Sequence, residues 1–188
     1  MYTKIEEAIH FVVKTNQGKK RRNENIDKSF HPIIVGTMIQ EINKSEDIII
    51  AAILHDIIND TNCGYEDIDE RFGTLVADIV YDLSENMAIT KWIDRKKDFL
   101  KRIKACDDIN VINIMIADKC QNLIADYEVF LKIGDKVWKN SGGTKEENCW
   151  LYRESYYIGK SKNANEELLE RYKKMLKIYF GDVDEDFK

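Results

Sequence analysis

Proline and glycine, the residues that interrupt helices, are scarce in this sequence. There is one proline and there are nine glycines in 188 residues. Apolar residues recur three and four positions apart, whereas strand-like alternation is nearly absent, so we predict an all-α fold of helices joined by short polar loops. The expected helices cover residues 3–15, 31–44, 47–61, 65–71, 74–85, 91–105, 108–132, 145–161 and 164–180.

Long hydrophobic runs and an excess of positive charge are also missing. The longest purely apolar run, Ile48 to Leu54, is far short of the roughly 20 residues that cross a bilayer. The N-terminus does not resemble a signal peptide, so we expect a cytoplasmic protein without a membrane span. The net charge of -5 gives no general attraction to nucleic acid, and we expect no direct nucleic-acid binding. Any phosphate-bearing ligand then needs a local basic cluster, such as residues 19–22.

Cysteine is present in only four copies and forms no C-x-x-C pair, which argues against a zinc ribbon or a thioredoxin-like motif. We therefore expect reduced, structurally incidental thiols. The chain length fits one domain, which we place at residues 1–180. Residues 181–188 form an acidic tail that we expect to be frayed.

Several polar residues follow apolar helical segments directly. His55 and Asp56 come after the apolar run, and Asp118 comes after a second largely apolar stretch. Burying an imidazole and a carboxylate is costly unless something pairs with them, and a metal ion pairs with both. His31 precedes Pro32, which suits the first turn of a helix. Each residue alone is more often capped, paired or exposed than a ligand, but together they supply two nitrogen and two oxygen donors.

These residues belong to a longer ordered pattern. The segments, all read directly from the sequence, are Arg22, His31-Pro32, H-D-I-I-N-D-T at 55–61, Phe72-Gly73, Arg95-Lys96, A-D-K-C-Q-N-L at 117–123 and W-L-Y-R at 150–153. The pattern resembles the HD superfamily of metal-dependent phosphohydrolases. Within that superfamily it is similar to the branch that hydrolyses the alarmone ppGpp, including the small single-domain hydrolases.

The resemblance implies a single-domain HD-type helical bundle with one divalent metal. The family's two histidines and two aspartates match His31, His55, Asp56 and Asp118. Manganese is the usual ion in the family, and the same donors also suit iron, zinc or magnesium. The implied reaction is removal of the 3′ pyrophosphate from ppGpp or pppGpp, which releases pyrophosphate and GDP or GTP.

The resemblance also implies roles for five further residues, with two departures from the family pattern. The catalytic Glu-Asp pair of the family is Asn59-Asp60 here, and an amide cannot exchange a proton as a carboxylate does. Substrate contacts fall on Arg22, on Asn23 in place of the family lysine, and on Asn122. We leave Lys96 and Lys97 outside the site, because their charged surroundings equally fit an exposed, ion-paired helix face.

Three functional hypotheses follow. The first is a ppGpp 3′-pyrophosphohydrolase, and the second is an HD phosphohydrolase that acts on another phosphorylated nucleotide. The third is a catalytically weak protein that binds a nucleotide as a sensor or sink. A substrate panel separates the first two, and Asn59→Glu tests the third, since restoring the carboxylate should raise hydrolysis sharply in a weak enzyme.

Overall fold

The fold is all-α, as predicted. The computed structural model describes residues 2–181, so most of the predicted tail, 182–188, lies outside the described residues. The helices are α1 Lys4–Thr15, α2 Phe30–Ile42, α3 Glu46–Leu54, α4 Ile57–Asp60, α5 Tyr65–Phe72, α6 Thr74–Leu83, α7 Trp92–Ala105, α8 Ile109–Ile133, α9 Lys145–Ser161 and α10 Glu166–Phe180. Within residues 2–181 the only β pairing is an isolated bridge between Lys20 and Asp27.

Local sequence signals explain where several helices begin. The hydroxyls of Thr3 and Thr144 accept from the backbone N–H of the third helical residue of α1 and α9, and a glutamate at that position bonds back to the cap. These capping boxes satisfy backbone N–H groups that lack a partner within the helix. Asp108 and Asn165 cap α8 and α10 with one such bond each.

The core is built around α3 and α8. Every residue from Ile48 to Leu54 is buried, which confirms that α3 is surrounded by other helices. The 25-residue α8 buries many apolar side chains, among them Val111, Ile112, Ile114, Met115 and Ile116. Asp118 lies on the buried part of α8, so its carboxylate is held in the interior.

Helices α2 and α3 approach each other closely at Gly36. A Cβ atom added to Gly36 would lie 2.4 Å from Cγ1 of Ile53, a separation that side chains do not adopt. Glycine is therefore required for this packing. The contact matters for the site, since His31 lies in the first turn of α2 and His55 directly follows α3.

Two predicted boundaries were wrong. The predicted helix 47–61 is divided, because α3 ends at Leu54 and α4 begins at Ile57. The segment Gly134–Asn140, predicted as loop, forms a 3-10 helix that continues from α8. Among residues 2–181, no helix is both long and apolar enough to cross a membrane. The four cysteines are free thiols, as expected.

Candidate metal centre

The four predicted metal ligands meet at one point between α2, the α3–α4 break and α8. His31 is the second residue of α2, His55 and Asp56 occupy the break, and Asp118 lies on α8. Nε2 of His31 lies 3.1 Å from Oδ1 of Asp118 and 3.5 Å from Oδ2 of Asp56. Nε2 of His55 lies 3.6 Å and 3.4 Å from the same two oxygens.

Both imidazoles are oriented by their Nδ1 atoms. Nδ1 of His55 lies 2.7 Å from the carbonyl oxygen of Ala52, and Nδ1 of His31 contacts Oε1 of Gln121. We assign the ring proton to Nδ1 in each case, because both partners are acceptors. In a neutral imidazole with this tautomer, Nε2 is the atom that can bind a metal. Both Nε2 atoms are buried without a hydrogen-bond partner within residues 2–181.

Unpartnered nitrogen atoms beside two carboxylates fit a divalent cation. Ligand atoms of His31, His55 and Asp118 all lie within 4.8 Å of one another, and Oδ2 of Asp56 contacts both histidines. Neutral imidazoles held by an acceptor at the second nitrogen are the usual arrangement around a bound metal. The chain therefore has a His/Asp site able to hold a divalent metal.

The centre opens into a highly charged cavity of about 350 Å³. Seven basic side chains line it, namely Lys20, Arg21, Arg22, Lys28, Arg95, Lys96 and Lys119. Five carboxylates line it as well, namely Asp56, Asp60, Glu85, Asp118 and Asp126. A cavity with a cation site and many basic groups matches a ligand that carries several phosphate groups.

Asp60 and Asn59 lie beside the centre on α4, but their side chains have different contacts. The Asp60 N–H donates to the Asp56 carbonyl at 3.0 Å, which keeps Asp60 one helical turn after Asp56 despite the helix break. Oδ1 of Asp60 lies 2.5 Å from Nζ of Lys28. Burial and the nearby Asp56 raise the pKa of Asp60. Asn59 instead binds the backbone of Glu85: Nδ2 donates to its carbonyl at 3.1 Å and Oδ1 accepts from its N–H at 2.9 Å.

Glu85 anchors two cations in the cavity wall, and the sequence analysis did not identify it. Its carboxylate pairs with Lys96 and accepts from Nε of Arg95 at 2.8 Å. Burial alone would raise the pKa of Glu85, but the charges and hydrogen bonds of Lys96, Lys119 and Arg95 together outweigh it, and the pKa is lowered. Lys96 does not lie on the exposed helix face expected for it, because its side chain is 15% exposed and lines the cavity. Lys97 is exposed, as that alternative expected.

Two neighbours of Asp118 on α8 were also missed. Nζ of Lys119 lies 2.7 Å from Oδ2 of Asp118, which leaves Oδ1 facing the histidines. Gln121 holds His31 through Oε1, and the same oxygen accepts from Nη1 of Arg21 at 3.2 Å. Spacing from Asp118 was the available signal for Gln121, which lies one turn away.

The three predicted substrate-contacting residues have different positions. Asn122 lines the cavity, and its Nδ2 lies 2.5 Å from Oδ1 of Asp118. Arg22 is exposed at the cavity rim, where Nη1 donates to the carbonyl of Asn140 at 3.1 Å. Asn23 adopts a left-handed conformation with φ of 60° and donates to the carbonyl of Val137 at 3.2 Å. Asn23 is not among the residues that line the cavity.

Comparison with known proteins identifies the class. The HD domain family matches residues 8–127, and the chain belongs to that family. Among curated proteins, it is 32% identical over 120 residues to the guanosine-3′,5′-bis(diphosphate) 3′-pyrophosphohydrolase of Aquifex aeolicus, which covers 63% of this chain and 17% of that protein. It is 36% identical over 98 residues to the bifunctional (p)ppGpp synthase/hydrolase SpoT of Escherichia coli K12, covering 50% of this chain and 14% of that one. The chain thus spans less than a fifth of these relatives.

Two solved structures share the fold. A metazoan orthologue of SpoT, described as hydrolysing ppGpp, superimposes with a TM-score of 0.77 at 19% identity and covers 96% of this chain and 98% of that one. The protein lmo0812 of Listeria monocytogenes has a TM-score of 0.70 at 23% identity and covers 80% of this chain and 98% of its own. Both confirm the HD-type helical bundle.

Proposed function

We propose that this protein is a metal-dependent phosphohydrolase that removes the 3′ pyrophosphate from ppGpp or pppGpp and releases pyrophosphate with GDP or GTP. The observation that carries the proposal is the pair of unpartnered histidine Nε2 atoms facing two carboxylates at the base of a cavity lined by basic side chains. The curated relatives named for ppGpp hydrolysis support the substrate.

His31, His55, Asp56 and Asp118 would hold the metal. Two nitrogen and two oxygen donors suit manganese, and they also accept iron, zinc or magnesium. When bound, such an ion supplies Lewis acidity, which lowers the pKa of water and neutralises charge on a phosphoryl oxygen. Lys119 keeps one oxygen of Asp118 engaged, so the other oxygen stays directed at the histidines.

The basic side chains bind and orient the phosphates. Lys28 lines the cavity from the segment before α2, and Arg95 and Lys96 line it from α7, so they reach a polyphosphate from two sides. Arg95 and Lys96 are held in place by Glu85 before any ligand arrives, which reduces the entropy lost on binding. Arg22 at the rim and Asn122 beside Asp118 would contact the nucleoside part.

Asp60 is the proton-handling group in this proposal. It lies one turn after Asp56, lines the cavity and has a pKa raised by burial, so its carboxyl group holds a proton more readily than an exposed aspartate. Lys28 fixes its Oδ1 and leaves Oδ2 for a water molecule or the leaving oxygen. Asn59 positions this region by holding the Glu85 backbone.

The test is hydrolysis of ppGpp by the purified protein with added manganese, with products separated by chromatography. We expect release of GDP and pyrophosphate, and loss of both in Asp118→Ala. Asp107→Ala is the matched control, because Asp107 is exposed and pairs only with Lys162 among the described residues. Intact ppGpp in the presence of protein that holds metal would exclude this function, and a panel of other phosphorylated nucleotides would then identify the substrate.

A second candidate, a weak enzyme that mainly binds nucleotide, is favoured by one observation. Asn59, which stands where the family has a glutamate, has both polar atoms of its side-chain amide bound to the Glu85 backbone. Asp60 then works without a second carboxylate from α4. Tight binding of ppGpp with turnover at least about a hundredfold below that of a restored carboxylate variant would support this candidate.

A further inference from the structure

A third polar residue of α8 extends the line formed by Asp118 and Asn122. Asp126 follows at the same four-residue spacing, and all three side chains line the cavity. Residues four apart lie on the same face of a helix. At about 1.5 Å per residue, Asp126 lies about 12 Å along the helix axis from Asp118. Asp126 therefore marks the end of the cavity remote from the metal ligands.

The carboxylate of Asp126 has unused acceptor capacity. The Tyr152 hydroxyl donates to its Oδ2 at 2.9 Å, and no other hydrogen bond to Asp126 is found within residues 2–181. Each carboxylate oxygen accepts two hydrogen bonds, so Oδ1 and part of Oδ2 remain open. Burial raises the pKa of Asp126, although the Tyr152 hydroxyl lowers it in part. A carboxylate in this setting is costly unless a donor reaches it.

Neighbouring arginines do not supply that donor. Arg21 is committed to Glu24, Gln121 and Asn122 through its three guanidinium nitrogens. Arg22 donates to the Asn140 carbonyl. Both lie close enough to lower the pKa of Asp126 without a hydrogen bond to it. The open oxygens thus face the cavity rather than a protein donor.

We infer that Asp126 is a specificity-determining residue that accepts hydrogen bonds from the donor edge of the substrate's nucleobase; this rests on the proposed function. A carboxylate binds two parallel N–H donors in a bidentate manner. Guanine presents an imino N–H beside an amino group, whereas adenine has only the amino group. Position 126 lies outside the motif segments on which the family resemblance depends.

The test compares Asp126→Asn with wild type on ppGpp and on its adenosine counterpart, ppApp. The amide keeps the size of the side chain but presents a donor where an acceptor is needed. We expect kcat/KM for ppGpp to fall about 10- to 100-fold, mainly through KM, while kcat changes little. The value for ppApp should stay the same or rise. An unchanged ratio of the two substrates would overturn the inference.

Tyr152→Phe is the matched control. It removes the hydroxyl bound to Oδ2 but keeps the carboxylate, so the preference for guanine should persist. If Asp126 serves only to hold Tyr152, both variants will lose activity on both substrates equally, which would also overturn the inference. Melting temperatures of the two variants show whether a loss of activity comes from misfolding.

The wild-type protein alone separates this inference from the proposed function. If it hydrolyses neither substrate, the proposed function fails, and calorimetric binding of GDP and IDP to the intact protein tests Asp126 independently. IDP lacks only the amino group, so we expect it to bind about tenfold or more weakly than GDP. Equal affinities would overturn the inference. The same comparison applies if Asp126→Asn does not fold.

Discussion

The two ends of the cavity are built in different ways. At the metal end, His31 and Asp118 lie on helices and His55 directly follows α3. All three are buried, and each is fixed by a neighbouring side chain or carbonyl. At the other end, Arg22 lies at the cavity rim in the segment between α1 and α2. Arg22 and its neighbour Asn23, which does not line the cavity, are exposed and contact the 3-10 helix. The metal end is thus set by the core. The remote end can change its sequence, and with it the ligand, without disturbing the core.

Among the changes that distinguish the two ends of the cavity, removal of the metal should have the largest effect on activity. We expect chelation to abolish turnover, and added manganese to restore it. Because only the folded chain assembles the four donors, manganese at a hundred times its dissociation constant should stabilise the protein by about 2.7 kcal/mol. Thermal unfolding with and without manganese measures this shift. Asp118→Ala should show no such shift, and an equal shift in that variant would place the metal elsewhere.

Breaking the Glu85 anchor should be the next largest effect. Glu85→Gln leaves Lys96 and Arg95 without a counter-charge in a mostly buried wall, so we expect a loss of about 2 kcal/mol in the free energy of unfolding. Displacement of both cations should raise KM about tenfold or more. Urea unfolding and steady-state kinetics measure these changes. Asp98→Asn, which affects a more exposed pair with Arg102, is the control and should cost well under 1 kcal/mol.

Separating α2 from α3 tests whether core packing positions the ligands. Gly36→Ala introduces a Cβ against Ile53, and we expect about 1–3 kcal/mol of destabilisation from overpacking. Metal affinity should fall as well, because the two helices carry His31 and His55. Gly64→Ala is the matched control, since its Cβ would make only ordinary contact, at 3.4 Å from Glu66. Unchanged manganese affinity in Gly36→Ala would show that the packing of α2 against α3 does not control the positions of the histidine ligands.

Low pH should reduce the stability that Glu85 contributes through its ion pairs with Arg95 and Lys96. The pKa of Glu85 is lowered from its ordinary value of 4.5, so its contribution to stability is present above about that pH and is lost as the pH falls through the folded-state pKa. The stability difference between wild type and Glu85→Gln should therefore shrink below pH 4.5. Urea unfolding of both proteins between pH 7 and pH 3 measures it. A stability difference that stays constant across this pH range would contradict the conclusion that ionised Glu85 stabilises the fold.

The smallest effect on turnover is expected from Asn59→Glu. A carboxylate at this position can accept from the Glu85 N–H but cannot donate to its carbonyl, so one buried hydrogen bond is lost. We expect about 1–2 kcal/mol of destabilisation and no gain in hydrolysis. Kinetics on ppGpp with manganese provide the measurement. A sharp rise in turnover would instead favour the weak-enzyme hypothesis.

Sequence patterns predicted the all-α fold and most helix positions, because apolar spacing directly records which face of a helix is buried. They also brought together His31, His55, Asp56 and Asp118, which the structure places within contact of one another. The roles of these four residues, and of Asp60 and Asn122, stay predictions until they are tested in the protein.

These patterns could not predict side-chain contacts between helices that are distant in sequence. Glu85 follows α6 and its partners Arg95 and Lys96 lie on α7, so no short-range spacing links the carboxylate to the metal site. A run of charged residues such as 94–98 does not show which side chains face solvent and which face a cavity. Asp126 does have a short-range signal, because it continues the four-residue spacing of Asp118 and Asn122 on α8 by one more turn.

The break between α3 and α4 has an electrostatic consequence. An uninterrupted helix through residues 47–61 would have carried its dipole past His55, but α3 ends at Leu54, directly before it. The carboxyl end of a helix carries about half a negative elementary charge from its aligned peptide groups. That partial charge lies next to His55 and Asp56, so the backbone itself adds to the attraction for a cation. The end of α3 thus contributes to cation binding through the backbone, in addition to the side chains of the motif.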